Sequence, residues 1–267
     1  MPDDPVSVAD DGPVRTLRLN RPQALNSFTV KMHGALRAAL EAAGRAAGVR
    51  CIVITGAGRA FCAGQDLSDP AIAPDLAPGA TPKDIGRLLD DHYIPLAKQL
   101  RSMPVPVIAA VNGVAAGAGA NFALNCDIVI AARTASFVQA FSRIGLIPDC
   151  GGTWLLPRLV GRARAIALSM TGDKLSAEDA ARVGLIWQCV DDTAFADTVR
   201  TLAQRLAAMP TKALAETRRA IDGAIELDFA AALANESRVQ RELGRGHDYL
   251  EGAAAFLQKR APVFSDR

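Results

Sequence analysis

Three short apolar runs constrain this chain more than anything else in it: CIVIT at 51–55, PVIAAVNG at 106–113 and DIVIAA at 127–132. Runs of this length read as strands, CIVIT of the buried type. An earlier run, VRTLRLN at 14–20, alternates, with Leu17 and Leu19 on one face. Between it and the first buried run, Met32, Leu36, Ala39 and Leu40 recur at helical spacing over 29–47, after a turn at NRPQALNS. The Ala- and Gly-rich AAGAGANFALNC predicts a tightly packed helix between the second and third runs. Strands alternating with helices define an α/β fold. Beyond about 160 the pattern turns helical: GRARAIALSM, SAEDAARVG, then 194–209, 211–222, 226–243 and 247–260. The expected division is a core over 1–200 and a helical region over 201–267. Residues 68–84 carry four prolines and no periodicity, which predicts a surface loop able to wall or cover a pocket.

Half of the 267 residues are apolar, ample for a core, and Lys plus Arg exceed Asp plus Glu by only 30 to 28. No field of that size argues for nucleic acid or a membrane surface. The acidic start MPDDPVSVADDG lacks the apolar centre of a signal peptide, and no apolar run reaches the ~20 residues of a membrane span, so a cytoplasmic location is expected. Cys51, Cys62, Cys126, Cys150 and Cys189 have no CxxC spacing, and His33, His92 and His247 no HxxxH pairing, which encourages neither disulfide nor metal. Cys62 and Cys150 read as small buried apolar residues.

The candidate chemistry lies in three segments. FVQAFSRIGLIPDCGGT at 137–153 sets one carboxylate, Asp149, among apolar residues and glycines, as proton transfer requires; the alternative is that Asp149 caps a helix beginning near Gly151. ITGAGRAFCAGQDL at 54–67 and VNGVAAGAGA at 111–120 each lead from a strand into a glycine-rich turn, where main-chain N–H groups can face an anion. Glycine runs also serve close packing alone. A dinucleotide turn is disfavoured, because the spacing is not GxGxxG and Tyr93 is followed by Ala97 where a Tyr-x-x-x-Lys pair would need lysine.

In this order and spacing FCAGQDL, VNGVAAGAGANFALNCDIVIA and FVQAFSRIGLIPDCGGTWLLPRLVGRARA resemble the enoyl-CoA hydratase/isomerase, or crotonase, superfamily, and the resemblance runs from NRPQALNS to FLQKRAPVF. It implies a spiral of ββα units with a helical C-terminal region. It also implies acyl-CoA thioester substrates and a homotrimer or a hexamer of two trimers, alone or beside a second crotonase subunit. By resemblance the N–H groups of Ala63 and Ala118 hold the thioester oxygen as it becomes an enolate, with Gly117 beside them. Coenzyme A would meet Arg21, Ala24, the strand from Ala63 through Gln65 and Asp66 to Leu67, and Phe256 and Lys259, the last two supplied by a neighbouring subunit where the helices exchange. Asp66 is expected to organise its turn rather than exchange protons. Hydratases of the superfamily carry two glutamates where this chain has Asn121 and Phe141. One acid remains, Asp149, at the position that isomerases keep. GAGRAFCAGQDLSD and GLIWQCVDD bring the chain nearest to the isomerases of ring-derived acyl-CoA epoxides and of enoyl-CoA double bonds. An α-proton shift needs no metal or redox cofactor, and Phe141 suits either an aromatic or ring-expanded acyl group or plain core packing. A hydratase and a non-catalytic acyl-CoA-binding subunit stand as the other expectations.

Overall fold

The computed structural model describes residues 4–266. Its main sheet has six strands in the order β1-β2-β3-β5-β7-β10: β1 (Val6–Asp11), β2 (Val14–Leu19), β3 (Cys51–Gly56), β5 (Val107–Val111), β7 (Ile128–Ala132) and β10 (Gln188–Val190). Only β1 and β2 are antiparallel; β2, β3, β5, β7 and β10 run parallel. A second sheet has four strands of three residues each in the order β4-β6-β8-β9: β4 (Ala60–Cys62), β6 (Val114–Ala116), β8 (Ser136–Val138) and β9 (Lys174–Ser176).

The two sheets explain the winding. Each long parallel strand is followed at once by a short one in the other sheet: β3 by β4, β5 by β6, β7 by β8. A helical segment then returns the chain to the next layer. These are α2 (Ile85–Leu88) running through a π-helical stretch, Leu89–Tyr93, into α3 (Ile94–Arg101); α4 (Ala118–Leu124); and α5 (Gly152–Thr171). The result is the mixed α/β spiral expected.

Period two along the strands sorts the core. Ile52, Ile54, Val107, Ala109, Val111, Val129 and Ala131 join the large cluster that contains α1 (Val30–Arg45) through Met32, Leu36 and Leu40. Cys51, Val53, Ile108, Ala110 and Ile130 face the other way, against Val199, Leu202, Ala203 and Leu206 of α7 (Asp192–Ala207). Side chains of this size release about 1.5–3 kcal/mol each on full burial, so both faces are anchored. A division at 200 therefore falls inside α7, and residues on both sides of that point pack on the sheet. Beyond α6 (Ala177–Arg182) and α7 come α8 (Thr211–Ala224), α9 (Phe229–Leu243) and α10 (His247–Gln258), near the ranges expected.

Several elements depart from the expectation. β1 is a strand of exposed character, with Val6 its only buried residue. A helical run that was not expected begins at Ile85, where the proline-rich loop ends as its range predicts, and Asp69 ties that loop to α1 by accepting the Val30 N–H at 2.9 Å. The stretch 106–113 contains the whole of β5 and then the turn into β6, so the strand ends at Val111. Among the described residues, no helix is long and apolar enough to cross a membrane.

Candidate active site

A cavity of about 590 Å³ is lined by the segments that leave the three short strands. Ala63, Gly64 and Gln65 follow β4, Gly117 and Ala118 follow β6, and Ala140, Phe141 and Asp149 follow β8. The proline-rich loop supplies a wall through Ile72 and Pro74, and the helical run after it adds Ile85, Leu88 and Tyr93. Thus the chain stations of three successive layers meet in one chamber.

Among the described residues, Asp149 is the only carboxylate on that chamber's wall. Its main chain is well held: Asn121 Nδ2 donates to Asp149 O at 2.9 Å, and Gly152 N–H donates to the same oxygen at 2.8 Å. Its side chain is not, because the buried Oδ1 has no hydrogen-bond partner. Burial pushes the carboxyl up to about 7, opposed only by a hydrogen bond from its own backbone. The capping alternative is overturned here, since α5 starts behind Gly151, a left-handed residue (φ 80°), with no side-chain cap. A carboxylate with that shift can take a proton at neutral pH and give it back.

The amide donors come out differently from the expectation at one position. Ala63 lines the cavity, but its N–H donates to Leu25 O at 3.0 Å and is already engaged. Two residues on, the chain pairs with Phe28 in a parallel bridge: Phe28 N–H donates to Gly64 O at 2.7 Å and Asp66 N–H to Phe28 O at 2.9 Å. In a parallel ladder the residue between those two bonds turns its own N–H to the opposite edge. That residue is Gln65. Ala118 opens α4, so its N–H precedes any intrahelical partner. The two turns sit close enough that a Cβ built on Gly64 would fall 2.9 Å from Ala116 O and 3.6 Å from Ala118 N. Gln65 and Ala118, rather than Ala63 and Ala118, therefore carry the free main-chain donors at this place.

The two positions that hold glutamates in hydratases are occupied by groups that cannot act as bases. Asn121 is buried within α4, donates to Asp149 O and accepts from Gln139 Nε2 at 2.9 Å. It packs so tightly that a Cβ on Gly152 would lie 2.2 Å from its Nδ2, which is why the residue after the turn has no side chain. Phe141 is 5% exposed and faces Gly117, where an added Cβ would stand 3.7 Å from the ring. Asn125 completes the frame by donating to both Asn121 O and Cys150 O at 2.8 Å.

Other expected site residues are distributed less compactly. Leu67 lines the cavity and is half exposed. Arg21 and Asp66 form an ion pair at 2.9 Å beside the wall, and Arg21 also donates to Ser27 O at 2.7 Å. Asp66 receives Ser68 N–H at 3.0 Å and Ser68 Oγ–H at 2.6 Å; these bonds, then Arg21, hold its carboxyl below the usual range. Ala24 ends the short helical turn Pro22–Ala24 and is not on the cavity wall. Phe256 and Lys259 are not on it either: Phe256 is 82% exposed, and Lys259 is the left-handed residue (φ 54°) that closes α10. Cys62 and Cys150 are buried thiols, the former pushed up to about 12 and the latter well above the usual range, both by desolvation first, so neither is a thiolate. Sequence reasoning missed the Tyr93 hydroxyl, which donates to Gln65 Oε1 at 2.8 Å, and the stack of His33 on Phe28 behind it, with ring centroids 4.7 Å apart. The FCAGQDL string contains Gln65 but carries no sign of its distant partner.

The chain matches the family model described as enoyl-CoA hydratase/isomerase over residues 10–267. It is 52% identical over 254 residues to 1,2-epoxyphenylacetyl-CoA isomerase of Escherichia coli (strain K12), with 95% of each chain covered. A "Probable enoyl-CoA hydratase" of Rhodobacter capsulatus is 48% identical, with 94% of each covered. Among solved structures, an enoyl-CoA hydratase from Bacillus anthracis superposes with a TM-score of 0.88 at 31% identity, covering 98% of this chain and all of the other.

Proposed function

The chain belongs to the enoyl-CoA hydratase/isomerase family, and from that premise we propose that it isomerises acyl-CoA thioesters by moving a proton from the α-carbon. The observation that carries this reading is the buried carboxyl of Asp149, with Oδ1 unpartnered, raised to about 7. In the reaction the thioester oxygen sits between the Gln65 and Ala118 N–H groups, Asp149 removes the α-proton, and charge develops on the oxygen as the enolate forms. Each such donor contributes ~3 kcal/mol to the transition state. Asp149, then protonated, returns the proton at a different carbon, and the double bond shifts without water entering the product. The scheme is complete with a base and two donors, so coenzyme A, as part of the substrate, is the only further group it uses.

On the similarity to the Escherichia coli enzyme, the substrates proposed are ring-1,2-epoxyphenylacetyl-CoA, giving oxepin-CoA, and 3-enoyl-CoA, giving 2-enoyl-CoA. The mostly apolar chamber and Phe141 fit such acyl groups. The same reading takes the protein to act in the cytoplasm as a homotrimer or a dimer of trimers, with or without a second crotonase subunit. The exposure of Phe229 on α9 and of Phe256 and Leu257 on α10, at 79%, 82% and 81%, supports their burial in an assembly.

A hydratase is the second reading, favoured by the name of the Rhodobacter relative. It meets the difficulty that water must be deprotonated while carbon is protonated, with one acid for both tasks. A third is an acyl-CoA-binding subunit without turnover. The deciding experiment follows 3-enoyl-CoA and crotonyl-CoA in ¹⁸O-labelled water. Double-bond migration without label in the product supports the isomerase. Labelled 3-hydroxyacyl-CoA as the main product means a hydratase, and binding without conversion means a binding subunit.

A further inference from the structure

Gln65 carries the free N–H of the first turn, and both of its attachments lead to one buried ring. Its main chain is bridged to Phe28, and its side chain accepts the Tyr93 hydroxyl hydrogen through Oε1 at 2.8 Å. His33, on α1, touches these two anchors at once: its ring stacks on Phe28 with centroids 4.7 Å apart and meets the Tyr93 ring edge-on at 4.3 Å. Phe28 and Tyr93 also meet edge-on at 5.7 Å, and Phe122 of α4 closes on Phe28 at 5.3 Å. His92, the neighbour of Tyr93, stacks on His33 at 5.5 Å. Both belong to the π-helical stretch Leu89–Tyr93, a local departure of the kind found at functional sites.

The cluster is buried and neutral. Burial first, and then the charge of His92, push His33 down to about 3, while burial and then Asp149 push the Tyr93 phenol well above its usual range. Neither group exchanges a proton at neutral pH, so what the two contribute is geometry. His33 Nδ1, His33 Nε2 and Gln65 Nε2 are all buried without hydrogen-bond partners, so stability is sacrificed at this place.

We infer that His33 and Tyr93 are positioning residues for the Gln65 main-chain N–H: Tyr93 fixes the Gln65 side chain, His33 fixes Tyr93 and Phe28 against each other, and together they hold the peptide at 65 with its N–H toward the thioester oxygen. This rests on the isomerase reading in one respect, that a thioester oxygen lies against that N–H. A donor displaced by a fraction of an ångström still binds the ester but stabilises the developing charge less.

The test compares wild type with Tyr93→Phe, Gln65→Leu, the two combined, His33→Ala and His33→Phe, all of which keep the main-chain N–H at 65. Infrared difference spectra record the carbonyl stretch of bound phenylacetyl-CoA labelled with ¹³C at the thioester carbon, and kinetics give kcat and KM for double-bond migration in 3-hexenoyl-CoA. Wild type is expected to shift the bound carbonyl to lower frequency, since a well-aimed donor polarises it. Tyr93→Phe, Gln65→Leu and His33→Ala lose part of that shift and lower kcat about tenfold with KM little changed. His33→Phe keeps the ring and stays near wild type. The combined variant separates positioning from stability. Tyr93→Phe alone leaves Gln65 Oε1 unmet, and replacing both partners removes that cost, so the melting temperature recovers while the carbonyl shift and kcat stay low. Recovery of all three together, a wild-type carbonyl shift in the single variants, or a His33→Phe no better than His33→Ala overturns the inference; if His33→Ala fails to fold, the Tyr93 and Gln65 variants decide. Deuterium exchange at the α-carbon of phenylacetyl-CoA by wild type reads the proton chemistry separately. Exchange with an unchanged carbonyl shift in the variants sinks the positioning role only. A shift lost in the variants without exchange by wild type sinks the isomerase reading and leaves the positioning role standing.

Discussion

Two aspartates follow two glycine-containing turns near the cavity, and the protein treats them in opposite ways. In the first turn the Asp66 carboxylate is fully engaged, by Ser68 N–H and Oγ–H on one oxygen and Arg21 on the other, and its carboxyl is held low. In the second, hydrogen bonds go to the Asp149 main chain from Asn121 and Gly152, while Oδ1 receives none and burial drives the group up to about 7. A side chain surrounded by donors fastens structure. One whose backbone is fastened while its side chain is deprived of partners is free to exchange a proton. The difference lies in where the donors point, not in residue type or in proximity to glycine.

The contrast can be broken most severely at Asp149 itself. Asp149→Asn should lower kcat/KM for 3-enoyl-CoA migration by about 10²–10⁴-fold, in keeping with loss of a general base, while calorimetric binding of an acyl-CoA is retained. A milder break removes what holds the backbone. Asn121→Ala keeps the carboxylate but removes one of the two hydrogen bonds to Asp149 O, and kcat/KM should fall by about 10–100-fold from misplacement, with a lower melting temperature. Acid sharpens the contrast without a mutation. Only the ionised form accepts the proton, so kcat/KM should decline about tenfold per pH unit as pH drops below about 7, and a profile flat to pH 5 would contradict the burial argument. Stability moves the other way: a carboxyl raised in the folded state is neutral in both states below about 4, and its ionisation opposes folding fully above about 7. Hence the melting temperature of Asp149→Asn, relative to wild type, should be higher at pH 8 than at pH 4. The smallest kinetic effect is expected at Asp66→Asn, which should leave migration within about threefold yet cost about 1–3 kcal/mol in denaturant unfolding, through the weakened Arg21 and Ser68 contacts.

The parts of the fold that could be read from the chain are those whose signal is local and long. CIVIT and DIVIAA announce strands through their short apolar runs, and α1 announces itself through Met32, Leu36 and Leu40. β4, β6, β8 and β9 have three residues each, too few for a period, although the cavity depends on three of them. The run from Ile85 to Arg101 is hidden by Pro95, which sits in the first turn of α3 where proline is tolerated. In the site, Asp149 was legible because few acids lie among so many apolar residues. The exchange of Ala63 for Gln65 as amide donor was not, because the direction of an N–H there is set by pairing with Phe28, a partner far along the sequence. Tyr93 and its bond to Gln65 Oε1 are hidden for the same reason.

The long-then-short strand pairs have a consequence for how such an enzyme can change. Each turn of the spiral delivers its own part of the chamber: an amide after β4, another after β6, an acid and an aromatic ring after β8. The two amides and the acid thus arrive on different storeys, and Asn121 and Asn125 of the second reach across to hold the main chain of Asp149 and Cys150 on the third. A substitution on the third storey can alter which bond is rearranged while the first two keep hold of the same thioester. Chemistry on this architecture is exchangeable storey by storey, as tools are changed on a fixed clamp.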